Sequence, residues 1–227
     1  MSEFAGKRVL VIGLARAGSG MARALSAMGA NVTAVDQKSA DSPSLFDPID
    51  ELSGLGVEIV TSWPGTIENL HVDIVAPSPG VPAKHPALVS ASQKGLPILS
   101  EIEIAYRLTA APIVAITGTN GKSTVTALTH HLLVSAGKSS VLCGNIAGSG
   151  FEEKTITSAA AESSEEDILV AEVSSFQLEW VDRFRPRAAT ITNITPDHLD
   201  RYASFEEYSA TKKRIFANMT GSDRIVV

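Results

Sequence analysis

Residues 117–124 read Thr-Gly-Thr-Asn-Gly-Lys-Ser-Thr, a run suited to binding phosphate. Small residues let backbone N–H groups converge on phosphate oxygens, and Lys122 adds a full positive charge. Ser123 is placed to hold a magnesium ion. The full P-loop motif, Gly-x-x-x-x-Gly-Lys-Ser/Thr, would have glycine at position 116, where this chain has Ile116. The match is therefore to the shorter Gly-x-x-Gly-Lys-Ser form. The alternative is a tight strand-to-helix turn with an incidental lysine. The candidate phosphate-binding residues are Gly118, Thr119, Asn120, Gly121, Lys122, Ser123 and Thr124.

Two predicted elements flank this run and would position it. The apolar residues 113–116 have the length and composition of a buried strand. After the run, the chain is expected to form an amphipathic helix with Val125, Leu128, Leu132 and Leu133 on one side. Such a helix would direct the positive end of its dipole at a bound anion.

Glu172 follows a predicted strand at residues 168–171. If this strand shares a sheet with residues 113–116, its acid lies at the same edge as the phosphate-binding run. A carboxylate there can reach the magnesium ion of a bound nucleotide. The alternative is a strand-end acid exposed to water, and this feature alone does not decide between the two.

His198 lies in the polar segment 193–202, which is expected to run from a strand end into a short helix. Thr195 would be the N-cap and Pro196 the first helical residue. Because neither a second histidine nor a cysteine is near in sequence, structural zinc is disfavoured and a hard ion such as magnesium fits better. The alternative is a histidine with a purely structural role.

Lys212 lies on the apolar face of a helix predicted at residues 205–218. A lysine that is partly desolvated among other cations has a lowered pKa and can react as a free amine. The alternative is a side chain whose ammonium group reaches water past its apolar neighbours. The face itself is marked by Phe205, Tyr208, Ile215 and Phe216.

The N-terminal residues have the order of a Rossmann-like unit. A predicted strand is followed by a turn bounded by Gly13 and Gly18, and the next strand ends at Asp36, where an acid can bind a ribose. Ala15 stands at the second glycine of the dinucleotide fingerprint, which favours a nucleotide held differently from NAD. The alternative is that the glycines only allow close packing of helix against strand.

Ser78 opens a rigid loop, Ser-Pro-Gly-Val-Pro, after another predicted strand. In an open α/β sheet this loop would face the same crevice as Gly13 and Asp36. The alternative is an ordinary Pro-Gly turn.

The alternation of strands and helices indicates βαβ units with parallel sheets, and hence an α/β fold. We expect a Rossmann-like parallel-sheet domain at residues 1–100 that binds a nucleotide. A P-loop ATPase α/β domain at residues 101–227 would follow, after a short joint at residues 110–112. In the first domain the remaining predicted strands are residues 8–12, 31–35, 57–61, 73–76 and 97–99, and the predicted helices are residues 47–55 and 86–94.

Composition narrows the class of protein. The chain has 227 residues, of which 44% are hydrophobic and 19% are charged, as in soluble globular domains. A net charge of −6 without long runs argues against a nucleic-acid partner. Cys143 is the one cysteine, which excludes an internal disulfide and fits a reducing compartment. No apolar run is long enough to span a membrane, so a cytoplasmic protein is expected.

Taken together, these stretches resemble the Mur ligase family over essentially the whole chain. Residues 117–124 are similar to the family's phosphate-binding loop, including its lack of the first glycine. Residues 172–179, Glu-Val-Ser-Ser-Phe-Gln-Leu-Glu, are the most discriminating, because Phe-Gln-Leu in this place points to the members that add D-glutamate. Residues 193–202 resemble the family's Asn-x-x-x-Asp-His-x-Asp-Arg segment.

The resemblance implies an ATP-dependent ligase of peptidoglycan precursor synthesis, with ATP and Mg²⁺ as cofactors. It would join D-glutamate to UDP-N-acetylmuramoyl-L-alanine through an acyl phosphate. By the same resemblance, Lys122 would stabilise the transferring phosphoryl group, and Ser123 and Glu172 would hold one magnesium ion. His198 and a carbamylated Lys212 would hold a second.

The resemblance also assigns substrate contacts. Gly13, Asp36 and Ser78 match positions that bind the uridine diphosphate, and Asn145 matches a position that contacts the UDP-linked substrate. It implies that the central domain is truncated and the C-terminal domain absent, so that these residues alone would bind the UDP part weakly and form no amide.

Two other function classes stay open on the residues: an NAD-dependent oxidoreductase, and a nucleotide-regulated binding module without catalysis. Tight NAD binding without UDP-nucleotide binding would favour the oxidoreductase. The absence of ATP turnover would favour the binding module.

Overall fold

The computed structural model describes residues 2–68 and 70–226. The chain divides into two compact units between Glu101 and Ile102. Each unit contains a parallel β-sheet with helices packed on it. The predicted α/β class is therefore confirmed in both units.

The first unit alternates strands and helices. Within the described residues its sheet is parallel throughout, in the order β3-β2-β1-β4. The strands are β1 (Arg8–Ile12), β2 (Asn31–Val35), β3 (Glu58–Val60) and β4 (Ile74–Pro77). The helices are α1 (Arg16–Ala27), α2 (Phe46–Gly54), which follows a 3-10 turn at Pro43–Leu45, and α3 (Pro86–Gln93).

The strand β1 lies inside this sheet because it is apolar on both faces. Residues 9–12 are each at most 4% exposed, as expected for a parallel strand covered on both sides. Ile12 pairs with Val35 of β2 and with Pro77 of β4. The segments that follow these three strands therefore begin at the same edge of the sheet.

The strand predicted at residues 97–99 is wrong. Ile98 forms only an isolated parallel bridge with Val75 of β4. The pairing stops there because Pro97 has no N–H to donate and the chain enters the next helix at Glu101.

The second unit has β5 inside its sheet, with the parallel order β6-β7-β5-β8-β9 among the described residues. The strands are β5 (Ile113–Thr117), β6 (Ser140–Gly144), β7 (Ile168–Glu172), β8 (Ala188–Ile191) and β9 (Arg224–Val226). The helices are α4 (Glu101–Leu108), α5 (Lys122–Ser135), α6 (Ile156–Glu162), α7 (Ser175–Leu178) and α8 (Phe205–Lys213), which continues as a 3-10 turn at Arg214–Phe216.

A hydrophobic core covers one face of this second sheet. Ala115 of β5 pairs with Ala171 of β7 and with Ala189 of β8, and all three are at most 2% exposed. Their small side chains leave room for residues of α4, α6 and α7 in the same core. This packing fixes the strands whose carboxyl ends carry the candidate site.

Glu103 of α4 is a fully buried carboxylate that joins the helix to a distant loop. It accepts hydrogen bonds from the backbone N–H groups of Asp182, Arg183 and Phe184 at 2.8 to 3.0 Å. Arg107 Nε donates to the same carboxylate at 2.6 Å. A buried charge is tolerated here because it is paired and hydrogen-bonded.

The predicted apolar side of α5 is not its buried side. Leu128 and Leu132 are 54% and 58% exposed, whereas Thr126 is buried. Apolar spacing shows which side chains share a face, but not which face meets β5, β6 and β7. Thr126 tolerates burial because its hydroxyl donates to the Lys122 carbonyl at 2.8 Å.

The short helix predicted within residues 195–202 is also wrong. This segment consists of bends and turns, and His198 adopts a left-handed φ of 52°, which an α-helix does not allow. The Thr195 carbonyl, which would accept the first hydrogen bond of that helix, accepts from the Thr119 hydroxyl at 3.1 Å. A tertiary hydrogen bond thus takes the place of the first bond of the predicted helix.

The helix predicted at residues 205–218 ends at Lys213 and continues as the 3-10 turn. Its predicted packing face is confirmed, because three of its positions are buried. They are Tyr208, Lys212 and Ile215.

Across residues 2–68 and 70–226, every helix is too short or too polar to cross a bilayer.

Candidate active site

The first unit brings Gly13, Asp36 and Ser78 together at the carboxyl edge of its sheet. Ser78 Oγ donates to the Gly13 carbonyl at 2.9 Å. The Asp36 carboxylate accepts from Leu14 N–H and from Lys38 N–H, each at 2.9 Å. These bonds join the segments that follow β1, β2 and β4, at the edge where open α/β sheets bind ligands.

Gly18 allows close packing within the same turn. A Cβ atom at Gly18 would lie 1.7 Å from the Gly13 carbonyl oxygen and 2.5 Å from Ser78 Oγ. Because any larger residue would collide with the backbone, the packing alternative accounts for this glycine.

The phosphate-binding run of the second unit links β5 to α5. Gly118 is tightly enclosed, since a Cβ atom there would lie 2.0 Å from Thr192 Oγ1. Gly121 adopts a left-handed φ of 78° and leaves the N-terminus of α5 without a side-chain cap. Lys122 Nζ donates to the Thr119 carbonyl at 3.0 Å, so its ammonium group lies at the loop. Uncapped N–H groups beside a lysine can bind an anion.

Hydrogen bonds from the segment after β8 hold this loop, and sequence analysis missed them. Asn120 N–H donates to Asn193 Oδ1 at 3.0 Å, and Asn193 Nδ2 donates to the Asn120 carbonyl at 2.9 Å. The Thr119 hydroxyl donates to the Thr195 carbonyl at 3.1 Å and accepts from Thr195 N–H at 3.0 Å. Thr192 Oγ1 donates to the Asn120 carbonyl at 2.6 Å. Only the pairing of β5 with β8 makes these contacts possible, and the sequence pattern does not reveal it.

Glu172 lies beside the phosphate-binding loop. The register places it opposite Ile116 of β5 and Gly144 of β6. Ser123 Oγ donates to Glu172 Oε2 at 2.6 Å, and Asn145 Nδ2 lies 3.4 Å from Oε1. Since Glu172 is 3% exposed, the alternative of a water-exposed acid does not apply.

The donors around Glu172 fit magnesium. The carboxylate and the Ser123 hydroxyl are hard oxygen ligands at the start of α5, where Thr124 is also exposed. Among the residues that the structure describes, no cluster of three or more His, Cys, Asp and Glu side chains could hold a metal. A magnesium ion here would therefore take its remaining ligands from phosphate oxygens and water, as is usual for this ion.

Lys212 is buried beside the same loop, at 2% exposure. Its Nζ donates to the Gly118 carbonyl at 2.8 Å and lies 3.5 Å from Thr117 Oγ1. Burial, with the charge of Lys122 as a smaller cause, lowers the pKa of Lys212 to about 8. About a tenth of this side chain is then an uncharged amine at pH 7. The alternative of an ammonium group that reaches water does not apply.

His198 lies in the segment after β8 and is 44% exposed. Its ring contacts Phe176 at a centroid distance of 4.8 Å and Tyr208 at 6.0 Å. Asp197 Oδ2 lies 3.6 Å from His198 Nε2.

Tyr208 connects these groups, although its sequence position indicated only core packing. The Tyr208 hydroxyl lies 3.1 Å from Thr119 Oγ1, and Lys212 Nζ lies 4.8 Å from the ring centroid. The one signal in sequence is that a buried tyrosine usually places its hydroxyl on a hydrogen-bond partner. Lys212, His198 and the phosphate-binding loop thus share a single aromatic neighbour.

Two family descriptions match the chain. The Mur ligase middle domain matches residues 116–227, and the Mur ligase MurD-like N-terminal domain matches residues 7–100.

Curated relatives carry the name UDP-N-acetylmuramoylalanine--D-glutamate ligase. The protein of Geobacter metallireducens is 44% identical over 226 residues, which cover 99% of this chain and 48% of the relative. The protein of Streptococcus gordonii is 38% identical over 229 residues, which cover 100% of this chain and 49% of the relative. The chain thus spans about half the length of the curated relatives it matches.

Solved structures share the fold. A UDP-N-acetylmuramate:L-alanyl-gamma-D-glutamyl-meso-diaminopimelate ligase from Neisseria meningitides aligns with a TM-score of 0.61 at 17% identity, over 97% of this chain and 71% of that one. UDP-N-acetylmuramate-alanine ligase MurC from Thermotoga maritima aligns with a TM-score of 0.51 at 24% identity, over 94% of this chain and 47% of that one. At these identities the likeness supports the fold alone.

Proposed function

Because the chain belongs to the Mur ligase family, we propose that it supplies the UDP-substrate and nucleotide sites of a UDP-N-acetylmuramoylalanine--D-glutamate ligase. The single observation that carries the proposal is the Ser123–Glu172 contact of 2.6 Å at the uncapped start of α5. It joins a phosphate-binding loop to a carboxylate that can hold magnesium, and phosphoryl transfer from ATP requires both.

The proposed reaction has two steps. The alanine carboxylate of UDP-N-acetylmuramoyl-L-alanine takes the γ-phosphoryl group of ATP, giving ADP and an acyl phosphate. The amine of D-glutamate then attacks the acyl carbon, phosphate leaves, and the nitrogen loses a proton to give the amide. The first step is needed because a carboxylate oxygen is a poor leaving group, whereas the phosphate of the acyl phosphate is a good one.

The loop residues 118–124 would bind the nucleotide phosphates through backbone N–H groups, and the Lys122 ammonium would stabilise the transferring phosphoryl group. Ser123 and Glu172 would hold one magnesium ion through their oxygen atoms. Magnesium, when bound, neutralises charge on the phosphoryl oxygens.

Carbamylated Lys212 and His198 would together bind a second magnesium ion. Its uncharged amine attacks carbon dioxide, forms an N–C bond and releases one proton, which leaves a carbamate with a single negative charge. Burial and the lowered pKa support this step because they raise the fraction of free amine. The product would offer carboxylate-like oxygens where an ammonium group would repel a metal ion.

The first unit would hold the uridine diphosphate through Gly13, Asp36 and Ser78, which its structure brings to one edge. Asn145 would contact the UDP-linked substrate from its place beside Glu172. The proposed domain roles are UDP-substrate binding for residues 1–100 and ATP binding for residues 101–227.

With this function the protein would act in the cytoplasm, where water-soluble peptidoglycan precursors are built. These precursors serve the cell wall, cell shape and cell division. The partners would be ATP, UDP-N-acetylmuramoyl-L-alanine and D-glutamate, without nucleic acid or membrane.

The decisive test is phosphate release from ATP by the intact protein. Release that requires both UDP-N-acetylmuramoyl-L-alanine and D-glutamate supports the proposal. Tight NAD binding without UDP-nucleotide binding would point to an oxidoreductase, and ATP binding without turnover would point to a regulated binding module. Either result would refute the proposed ligase activity.

Lys122→Ala is expected to abolish phosphoryl transfer and leave the affinity for UDP-N-acetylmuramoyl-L-alanine within about twofold. The reason is that Lys122 belongs to the phosphate-binding loop, whereas Gly13, Asp36 and Ser78 lie in the first unit. Calorimetry measures the affinity, and Lys138→Ala, at an exposed lysine, is the matched control. A large loss of UDP-substrate affinity in Lys122→Ala would contradict separate sites.

Lys212→Ala is expected to lose activity and regain part of it with added short-chain carboxylic acids. A carbon-13 carbamate signal from labelled bicarbonate, present in the wild type and lost in the variant, is the direct readout. Full activity in Lys212→Ala would refute the carbamate.

A further inference from the structure

Arg201 is held by Glu179 in a fixed orientation. Its Nε and Nη2 atoms donate to Glu179 Oε1 and Oε2, both at 2.7 Å. The two side chains are only 12% and 9% exposed. Because a two-point pair of this kind fixes direction as well as distance, the guanidinium plane has little freedom.

Glu179 is also anchored by groups other than Arg201. The Tyr202 hydroxyl donates to Glu179 Oε1 at 2.9 Å, and Arg214 Nη1 donates to the Glu179 main-chain carbonyl at 2.6 Å. The acid therefore serves as a fixed support to which the segment between β8 and α8 attaches.

The Arg201 guanidinium also lies over the Phe176 ring, 4.0 Å from its centroid. Phe176 belongs to α7, whose start is fixed by a capping box between Ser174 and Gln177. The same ring contacts the His198 imidazole at a centroid distance of 4.8 Å. Arg201 and His198 thus share one aromatic partner on a fixed element.

The backbone of His198 is held by the hydrogen bonds of a turn. It lies outside any helix or strand, and its φ of 52° is unusual for a residue other than glycine. Its carbonyl accepts from the N–H groups of Arg201 and Tyr202, both at 3.0 Å. The turn that carries His198 therefore closes on Arg201, the residue attached to Glu179.

We propose that Arg201 is a positioning residue: its paired bonds to Glu179 and its contact with Phe176 set the orientation of the His198 imidazole at the nucleotide site. The inference rests on the proposed function in one respect, since that proposal places His198 toward magnesium. It goes further by assigning a role to the Arg201–Glu179 pair. An ion pair with a merely structural role would stabilise the unit and leave the imidazole orientation unchanged.

Arg201→Lys tests this role because lysine keeps the charge but lacks the planar fork. The readout is nuclear magnetic resonance of the chain with labelled histidine and phenylalanine. We expect the cross-relaxation signal between the His198 and Phe176 rings to fall at least threefold in Arg201→Lys. Glu179→Gln keeps the side-chain volume and is expected to act in the same way, which provides a second variant should the first fold poorly.

Arg185→Lys is the matched control. Arg185 pairs with Asp223 in the same unit, with Nε to Oδ2 at 2.8 Å, and its Nη2 donates to the hydroxyls of Thr220 and Ser222. This variant is expected to leave the signal between the His198 and Phe176 rings unchanged. A wild-type signal in both Arg201→Lys and Glu179→Gln would overturn the inference, whatever their thermal stability.

Manganese ions alone separate this inference from the proposed function. In the wild type we expect Mn²⁺ to broaden the His198 ring resonances, and Arg201→Lys to need about tenfold more Mn²⁺ for equal broadening. The response of the Ser123 amide is expected to change less than twofold. Equal broadening of His198 in both proteins would overturn the inference. No broadening in the wild type would refute the metal role of His198, while the ring-to-ring signal would still decide the role of Arg201.

Discussion

Replacing Lys212 with methionine is expected to stabilise the protein at neutral pH and to lose that advantage in alkaline solution. Burial lowers the pKa of Lys212 from 10.5 to about 8 in the folded chain. Between these values the unfolded chain binds a proton that the folded chain does not, so the wild-type free energy of unfolding rises with pH. Below pH 8 the folded wild type carries the full cost of a buried charge.

The size of the effect follows from the two pKa values. The interval from 10.5 to about 8 corresponds to about 3 kcal/mol, at about 1.4 kcal/mol for each pKa unit. Methionine removes this cost but leaves the Gly118 carbonyl without the donor that Lys212 supplies at 2.8 Å, a loss of about 1 kcal/mol. Lys212→Met should therefore be about 2 kcal/mol more stable than the wild type at pH 7, and about 1 kcal/mol less stable near pH 10.5.

Urea unfolding at several pH values between about 7 and 10.5 measures this difference. The buffers must be free of carbon dioxide, because a carbamate on the wild-type amine would replace the buried ammonium group. Lys213→Met, at the exposed neighbouring position, is the control and should show no such trend. A difference between Lys212→Met and the wild type that stays constant over this range would refute the reasoning, since it would mean that Lys212 titrates like an exposed lysine.

Two further predictions concern glycine packing and a buried carboxylate. Gly118→Ala is expected to reduce Mg-ATP binding by at least tenfold in calorimetry, because its Cβ would lie 2.0 Å from Thr192 Oγ1; Thr192→Ala in the same chain should recover part of the affinity, and wild-type affinity in the single variant would contradict the close approach. Glu103→Gln is expected to lower the free energy of unfolding by about 3 kcal/mol, because a fully buried carboxylate that accepts from three backbone N–H groups loses its charge and gains a donor facing those donors. Glu162→Gln, at an exposed ion pair, should cost less than about 1 kcal/mol, and equal costs for the two variants would contradict the argument.

The parts of the fold that could be predicted from sequence are those set by local pattern. The apolar runs at β1, β5 and β7 predict parallel strands because only strands covered on both faces are apolar throughout. The position of Glu172 beside Ser123 follows from the same logic, since the carboxyl ends of parallel strands meet at one edge. Lys212 could be placed on the buried face of α8 from spacing alone.

The features that sequence did not predict depend on partners distant in the chain. The predicted helix within residues 195–202 is absent, and the Thr195 carbonyl that would have accepted its first hydrogen bond accepts from Thr119 instead. The buried face of α5 depends on how the helix lies on its sheet, which its periodicity does not specify. The contact of Tyr208 with Thr119 required the arrangement of β5 and α8 to be known.

The hydrogen bonds between the phosphate-binding loop and the segment after β8 have a consequence for amide hydrogen exchange. Asn120 N–H donates to Asn193, and Thr195 N–H donates to Thr119, so each segment protects an amide of the other. Neither segment has the ladder of a helix or strand, and such segments exchange their amide protons through local opening. Because each of the two amides is held by the other segment, we expect one local opening to expose both the Asn120 and the Thr195 amide, with equal opening free energies in hydrogen exchange. Such an opening would expose the phosphate-binding loop and the segment that carries His198 together.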